Sequence, residues 1–348
     1  MGLFNFYHDE PLFGLDIGHS SLKVMQFETV KGKAPRVAGY GYNNYPAGAI
    51  ANGVIVKPET IARSLHELIS GHLVGSISTN KIACSLPTAR TFSRPMRLPA
   101  MDESDIREAI HLEAEHYIPI PIANLYIDYE ISRQGPDGID ILMVAAPRNM
   151  VDSYVRLLQS LELDPVALEP AINASSRLFK LADPSHNQPS LLIDFGSVAT
   201  DIAVFDQTMF VNSTVAGGGD TMTGLIAKAL SMEMGEAGEI KSKYGLSYSA
   251  KQPEILTAIQ PMLDALIREV RKIMRYYNER AGKGGRKLVQ IITIGGGATM
   301  PGLSQYLTKQ LDLPAKLLDP WQQLDFGPLP SPAPIDQSMY ITVAGEAI

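Results

Sequence analysis

The chain has 348 residues, 45% of them apolar and 19% charged, with a net charge of −7. That length and composition fit a globular protein of two or more domains, and the acidic balance excludes wholesale nucleic-acid binding through a basic surface. The lone cysteine, Cys84 in the apolar run KIACSL, excludes an intramolecular disulfide framework and reads as a buried thiol. No run of about 18 apolar residues occurs, so no membrane-spanning helix is expected. The start, MGLFNFYHDEP, lacks the regions of a secretion signal, and Phe6 breaks the N-myristoylation pattern. Any membrane contact is therefore expected through a partner or a surface patch.

Phe13–Phe27, FGLDIGHSSLKVMQF, reads as an apolar strand, an Asp-x-Gly turn with small hydroxyl residues, and a second strand, hence a β-hairpin. VAGYGYNNYP follows as strand and turn. Glu59–Ile69 has helical spacing in Ile61, Leu65, Leu68 and Ile69, and Ile82–Leu86 reads as a strand. Arg90–Leu98 is basic and strand-like, and Met101–Tyr117 is a helix with cap candidates Asp102 and Ser104. The run IPIPI at Ile118–Ile122 ends that helix, because neither proline can donate to the helical ladder. Strands Leu125–Ser132 and Ile139–Ala145 are joined by the turn QGPDG. Asn149 is then expected to cap a helix carrying Val151, Tyr154, Val155, Leu158 and Leu161 on one face.

Leu191–Phe205, LLIDFGSVATDIAVF, repeats the first hairpin 178 residues later. Asp194 falls on Asp16, Gly196 on Gly18, Ile202 on Val24 and Phe205 on Phe27, whereas Lys23 falls on Asp201, so the two hairpins are not electrically equivalent. Residues 217–286 are largely helical. One long helix has a seam of Ile259, Leu263, Leu266, Val270, Ile273 and Tyr277, and its other face carries Arg268, Arg271, Lys272, Arg275 and Arg280, which reads as a solvated face. Ile291–Leu303 is a buried-type strand running into Gly295, Gly296 and Gly297, with Pro301 placed to start a helix. The tail from Asp319 is proline-rich and is expected to return as a strand at ITVAG.

A hairpin tip of Gly and Ser lets backbone N–H groups approach an anion, and a flanking Asp can hold a hydrated Mg²⁺. Two such hairpins facing each other would clamp the phosphates of one nucleotide, and three glycines after a strand let the backbone pass close to a flat or charged group. Other motifs fail on spacing. GKGGRK at Gly282–Lys287 is no Walker A, His111 and His116 are five apart and not stacked on one helix face, and no G-x-S-x-G elbow occurs.

The ordered set of two hairpins and a Gly-rich loop resembles the actin-like ATPase superfamily. Within it the chain resembles the PilM family of type IV pilus assembly, itself similar to FtsA, through AIHLEAEHYIPIPIANLYIDY (Ala109–Tyr129), VAGGGDTMTGLIAKAL (Val215–Leu230) and IKSKYGL (Ile240–Leu246). The resemblance implies an α/β actin-like ATPase fold, with two related halves around a nucleotide cleft. The first-half core spans 1–86, completed by 165–190 and 319–348. An inserted 1C-like subdomain spans 87–164, the second-half core 191–216 and 287–318, and a helical subdomain 217–286.

The resemblance also implies ATP and Mg²⁺ as ligands. Asp16 and Asp194 would hold Mg²⁺ through water. Gly18, His19, Ser20 and Ser21, with Lys23 nearby, would cradle the terminal phosphates, mirrored by Gly196, Ser197 and Thr200. Gly218, Gly219, Glu239, Lys241, Gly295, Gly296 and Gly297 complete the nucleotide set. Relatives commonly show A-E-x-x-K-x-x-Y-G, whose Glu and Lys meet ribose and base; here Lys241 keeps its place while the Glu position is Gly238, flanked by Glu236 and Glu239. Glu169 in LEPAINA is the candidate for positioning water, and its alternative is a helix-start Glu before proline. The implied function is a cytoplasmic, inner-membrane-associated ATP-binding adaptor of the pilus platform, at most a slow ATPase. It would hold the N-terminal cytoplasmic tail of a PilN-like bitopic protein near Ile118 and Ile120 and meet other platform components. An FtsA-like division filament is the alternative, disfavoured because no amphipathic helix follows ITVAGEAI; self-association stays open. A phosphotransferase would need a catalytic Asp that no segment recognisably presents.

Overall fold

The computed structural model describes residues 11–28, 34–136, 138–182, 188–280 and 286–348. The N-terminal segment and most of GKGGRK lie outside the described residues. The first half runs β1 (Phe13–Ile17), β2 (Ser21–Glu28), β3 (Arg36–Asn44), a small hairpin of β4 (Ile50–Ala51) and β5 (Val54–Ile55), α1 (Pro58–Glu67), β6 (Val74–Gly75) and β7 (Lys81–Leu86). An insertion follows, with β8 (Phe92–Leu98), α2 (Glu103–Tyr117), β9 (Leu125–Gly135) and β10 (Gly138–Pro147). The chain returns through α3 (Arg148–Ser160), β11 (Asp164–Pro170) and α4 (Ala171–Ala182). The second half comprises β12 (Ser190–Phe195), β13 (Ala199–Asp206), β14 (Thr208–Ala216), α5 (Gly219–Leu230), α6 (Met234–Lys243), α7 (Gln252–Arg280), β15 (Gln290–Ile294), α8 (Leu303–Leu311) and β16 (Ala315–Leu317). The helix α9 (Ile341–Ala347) closes the chain.

The sequence repeat becomes a topological repeat. The first sheet is ordered β11-β7-β1-β2-β3-β6 and the second β14-β13-β12-β15-β16. In each, the Asp-x-Gly hairpin is antiparallel (β1–β2, β12–β13) and its first strand runs parallel to a later strand (β7, β15). Phe13, Leu15, Leu191, Leu192 and Ile193 are fully buried. Such near-continuous burial is what strands covered on both faces show.

A mixed core joins the halves. Met25, Phe27 and Tyr40 of the first sheet, Leu192, Phe205 and Ile292 of the second, and Ile172 and Leu178 of α4 pack with Ile341, Val343 and Ala344 of α9. The two helices cross so closely that a Cβ on Gly345 would stand 2.0 Å from the Ala174 carbonyl oxygen. The expected strand at ITVAG is thus a helix. The run is short and buried on every side (Ile341 to Glu346), and periodicity alone cannot separate a buried helix from a buried strand.

The insertion has its own three-stranded sheet, β8-β10-β9, and its own core of Leu98, Ile106, Ile110, Ala114, Ile139 and Ile141. Ile118, expected in a partner groove, is 6% exposed and belongs to that core, so it cannot line an open surface; Ile120 packs against the same core and is half-buried. The prolines turn the chain inward here as well as ending α2. The following helix, α3, buries Met150, Tyr154, Leu157 and Leu158 in the first-half core with Phe13, Leu15 and Ile82. It therefore joins the first-half core, while its Asp152 accepts a hydrogen bond from Tyr126 of the insertion's β9.

Candidate functional site

Register lines up the polar residues of the first hairpin. Asp16 stands opposite Lys23 across β1–β2, and Ser85 opposite Glu169 across β7–β11. The Lys23 Nζ lies 2.9 Å from the Asp16 Oδ2, and the Ser85 hydroxyl donates to Asp16 Oδ1 at 2.8 Å. Lys23 is therefore neither an exposed strand lysine nor free for a ligand alone; it is 8% exposed and already paired. The tip is tight. Gly18 N–H donates to the Ser21 carbonyl at 2.8 Å, and the Tyr45 hydroxyl donates to the Gly18 carbonyl from below. His19, Ser20 and Ser21 stay half-exposed at the tip.

The second sheet presents a matching row, with Asp194 opposite Asp201 across β12–β13 and Asp201 opposite Thr214 across β13–β14. Desolvation first, then Asp201 and Asp16, push the Asp194 carboxyl up to about 7, with Lys23 opposing. The charges of Asp16 and Lys23 on the first hairpin reach Asp194 on the second. Burial pushes Asp201 up to about 6, opposed by hydrogen bonds from Thr214 and Thr88. Thr200 is 1% exposed and its hydroxyl donates to the Gly217 carbonyl at 2.7 Å, so it braces the loop from behind instead of facing a ligand.

Three glycine segments meet beside this row. Gly219 N–H donates to the Gly196 carbonyl and Asp220 N–H to the Ser197 carbonyl, each at 2.8 Å. A Cβ on Gly218 would stand 2.1 Å from the Gly196 carbonyl oxygen. Gly295 has φ +84°, and its Cβ would meet Asp194 Oδ1 at 2.3 Å; both positions therefore demand glycine. Gly296 is open, its nearest neighbour on that side lying at 3.9 Å, whereas Gly297 sits against Phe195 and Gly219. Lys241 reaches the same corner from α6, with Nζ 2.7 Å from both the Gly219 carbonyl and Thr223 Oγ1. Desolvation lowers its pKa against the attraction of Asp220. Glu239 is exposed and lies two residues before Lys241, so it is off the helix face that Lys241 uses. Gly238 is on that face, where a Cβ would make only an ordinary contact with Thr223 Cγ2 at 3.8 Å.

Glu169 is half-buried and gripped by Arg177 through both terminal nitrogens, one of them 2.6 Å from Oε2. The Arg177 Nε also donates to the Gly345 carbonyl at 3.0 Å, which ties α4, α9 and the end of β11 together. Beside them Glu346 is 2% exposed, and desolvation, then Asp16 and Glu169, raise its pKa well above the usual carboxylate range. The sequence reading missed Ser85, Arg177 and Glu346, which only register and helix crossing bring to the cleft.

The donor chemistry suits a hydrated divalent cation. Asp16 and Asp194 concentrate negative charge against one lysine, and the raised Asp194 pKa shows a place where added positive charge is favourable. Among the described residues no cluster of three or more His, Cys, Asp or Glu could cage a metal. Mg²⁺ keeps most of its waters and is held by one or two carboxylates plus phosphate oxygens, and Asp16 and Asp194 are the two carboxylates that would serve. Among the described residues no helix is long and apolar enough to cross a membrane.

The family described as type IV pilus assembly protein PilM matches residues 14–348. Among solved structures, a chain of a PilM-PilN type IV pilus biogenesis complex is 22% identical over 97% of each chain, with a TM-score of 0.82. The ethanolamine utilization protein EutJ from Carboxydothermus hydrogenoformans is 16% identical, over 97% of this chain and 89% of that one, at TM-score 0.57. MreB5 of Spiroplasma citri bound to ADP is 13% identical, over 97% of this chain and 95% of that one, at TM-score 0.53.

Proposed function

The chain belongs to the PilM family of type IV pilus assembly proteins, and from that premise we propose that it is an ATP-binding adaptor of the pilus inner-membrane platform. Its fold is the actin-like ATPase fold, two related halves around one cleft. The observation that carries nucleotide binding is the convergence of two facing Asp-x-Gly hairpins on glycines that leave no room for a side chain. The first tip, Gly18 to Ser21, receives the terminal phosphates, with Lys23 supplying positive charge. Gly196 and Ser197 approach from the other side. Gly218, Gly219 and Gly295–Gly297 leave a shelf for the adenosine, beside Lys241. Asp16 and Asp194 would hold Mg²⁺ through its waters, and the metal would supply charge that neutralises the phosphates.

The partner reading rests on family and fold. The solved relative is a complex with PilN, and the proposed ligand here is the N-terminal cytoplasmic tail of a PilN-like bitopic membrane protein. The candidate surface for an extended peptide is on the insertion, around exposed Leu112 and the rings of Tyr117 and Tyr126, which carry the guanidiniums of Arg94 and Arg148. Family membership displaces the division-filament reading. Slow turnover is consistent with Glu169 being held by Arg177.

The test is a fluorescence-polarisation titration of the full chain with a labelled peptide copying that tail from the same organism, with and without Mg-ATP. Saturable binding is the expected result. Absence of binding in both conditions would remove the partner reading, and failure of ATP to bind by calorimetry would remove the nucleotide reading independently.

A further inference from the structure

β3 loses its outer neighbour halfway along. The two-residue strand β6 pairs only with Gly39 and Tyr40, so among the described residues no strand lies beside β3 from Gly41 onward. A cavity of about 480 Å³ opens at that edge, between β3 and the segment that leads into α9. Three tyrosine rings form its corner. Tyr340 meets Tyr40 edge-on, with ring centroids 5.4 Å apart and planes at 90°, and meets Tyr42 at 6.5 Å and 80°. The facing wall is pinned in place: the Tyr40 hydroxyl donates to the Pro330 carbonyl at 2.8 Å, and the Gln337 side-chain amide donates to the Pro332 carbonyl at 3.2 Å. Its polar groups lack partners. Asp336 is half-buried, and its carboxylate neither caps the following turn nor joins an ion pair among the described residues. Tyr340 is 3% exposed, yet its hydroxyl makes no hydrogen bond among the described residues. None of the described lining residues is lysine or arginine, and Lys23, the cross-strand neighbour of Tyr42, is committed to Asp16 at 2.9 Å.

We propose that this cavity takes the guanidinium of an arginine carried by an extended peptide, whose backbone lies along the open edge of β3. Electrostatics selects the charge. Aromatic faces attract cations, arginine more often than lysine, and the unpaired Asp336 carboxylate complements an incoming positive group. Hydrogen bonding selects the guanidinium, because the Asp336 carboxylate and the Tyr340 hydroxyl both accept and a guanidinium offers five donors in a fixed fork. The open edge selects the peptide, since an added strand pairs with backbone groups that β6 does not reach. The cavity is separate from the surface proposed for the membrane protein's tail. None of its described lining residues belongs to the insertion, and β3 and β6 form the sheet edge opposite β11, against which α3 packs. It also requires no nucleotide in the cleft.

The probe is the tripeptide Gly-Arg-Gly, acetylated and amidated, titrated into the nucleotide-free full chain and followed by saturation-transfer NMR. Its citrulline counterpart keeps the shape and loses the charge. The arginine peptide is expected to bind at least about tenfold more tightly than the citrulline one. A single capped arginine, which cannot extend along β3, is expected to bind at least about threefold more weakly than the tripeptide. Asp336→Asn and Tyr42→Leu, at half-buried and exposed positions, should each weaken the arginine peptide by at least about threefold while melting like wild type. Equal binding of the arginine and citrulline peptides overturns the proposal, as does arginine binding unchanged in both variants or no arginine binding at all. Equal binding of the tripeptide and the single arginine overturns the peptide occupant. So does sedimentation with phosphatidylcholine vesicles that is lost in Tyr42→Leu while the tripeptide does not bind, because the cation held is then a lipid headgroup.

Discussion

Lys23 and Asp16 close a 2.9 Å ion pair across the first hairpin with side chains 10% and 16% exposed, at the point where the nucleotide would meet the protein. The pair therefore has a structural and a binding role that one substitution would confound. Asp16→Ala leaves the ammonium buried without its partner, a change that costs about 3–5 kcal/mol. It should lower the melting temperature clearly and abolish ATP binding. The double variant Asp16→Asn with Lys23→Gln removes both charges and should recover most of the melting temperature without recovering ATP binding. Thermal melts and calorimetry on both variants separate the two roles, and tight ATP binding by either would sink the clamp.

The Asp194 and Asp201 carboxyls make the nucleotide-free protein sensitive to pH. Asp194 and Asp201 titrate at about 7 and about 6 in the fold, against 3.8 for the free group. Between these values and 3.8 the folded chain holds protons that the unfolded chain has released. Stability of the nucleotide-free protein should therefore fall as pH rises from about 4 to 7 and return on acidification. Asp194→Asn should flatten that slope. Melting temperatures measured across pH 5–8 check this; a ligand-free protein that gains stability with rising pH would contradict the assignment.

The sequence made the cleft legible because its parts are local. An apolar strand, an Asp-x-Gly tip and a second strand form one hairpin wherever they occur, and the recurrence at Asp194 announced a duplicated half. Gly295 was legible because only glycine tolerates its backbone angle and its approach to Asp194. What stayed hidden depends on distant pairing. Ser85 carries no motif, and its value comes from lying beside Asp16 in the folded sheets. The segment Ile341–Ala347 was misread because the crossing with α4, and not its own pattern, makes it a helix. Ile118 was misplaced because a proline-flanked isoleucine looks the same in a groove and in a core.

Glu169 offers a direct choice between a chemical and a structural role. Its grip by Arg177, a side chain 39% exposed, makes the pair worth about 1–3 kcal/mol after solvent screening. Glu169→Gln should lower the melting temperature modestly and leave ATP affinity within about threefold. If the carboxylate positions water, single-turnover phosphate release should drop at least about tenfold. An unchanged release rate at normal affinity would assign Glu169 to the Arg177 clamp alone.

Gly238 shares the face of α6 that carries Lys241, and a Cβ there would meet only Thr223 Cγ2, at 3.8 Å. A side chain at this position is therefore free to extend toward the proposed adenosine shelf. A glycine inside a helix also costs about 1 kcal/mol relative to alanine. Gly238→Ala should accordingly stabilise the protein by about 1 kcal/mol with ATP affinity unchanged. Gly238→Glu should do more, because its carboxylate can reach a ribose hydroxyl from that face, and a hydrogen bond to a charged group contributes about 1.5–3 kcal/mol. ATP affinity should rise at least about tenfold on that estimate. Calorimetry on the two variants decides the matter: equal affinities for Gly238→Ala and Gly238→Glu would mean that the ribose does not lie against this face of α6, and the placement of the adenosine beside Lys241 would have to be abandoned.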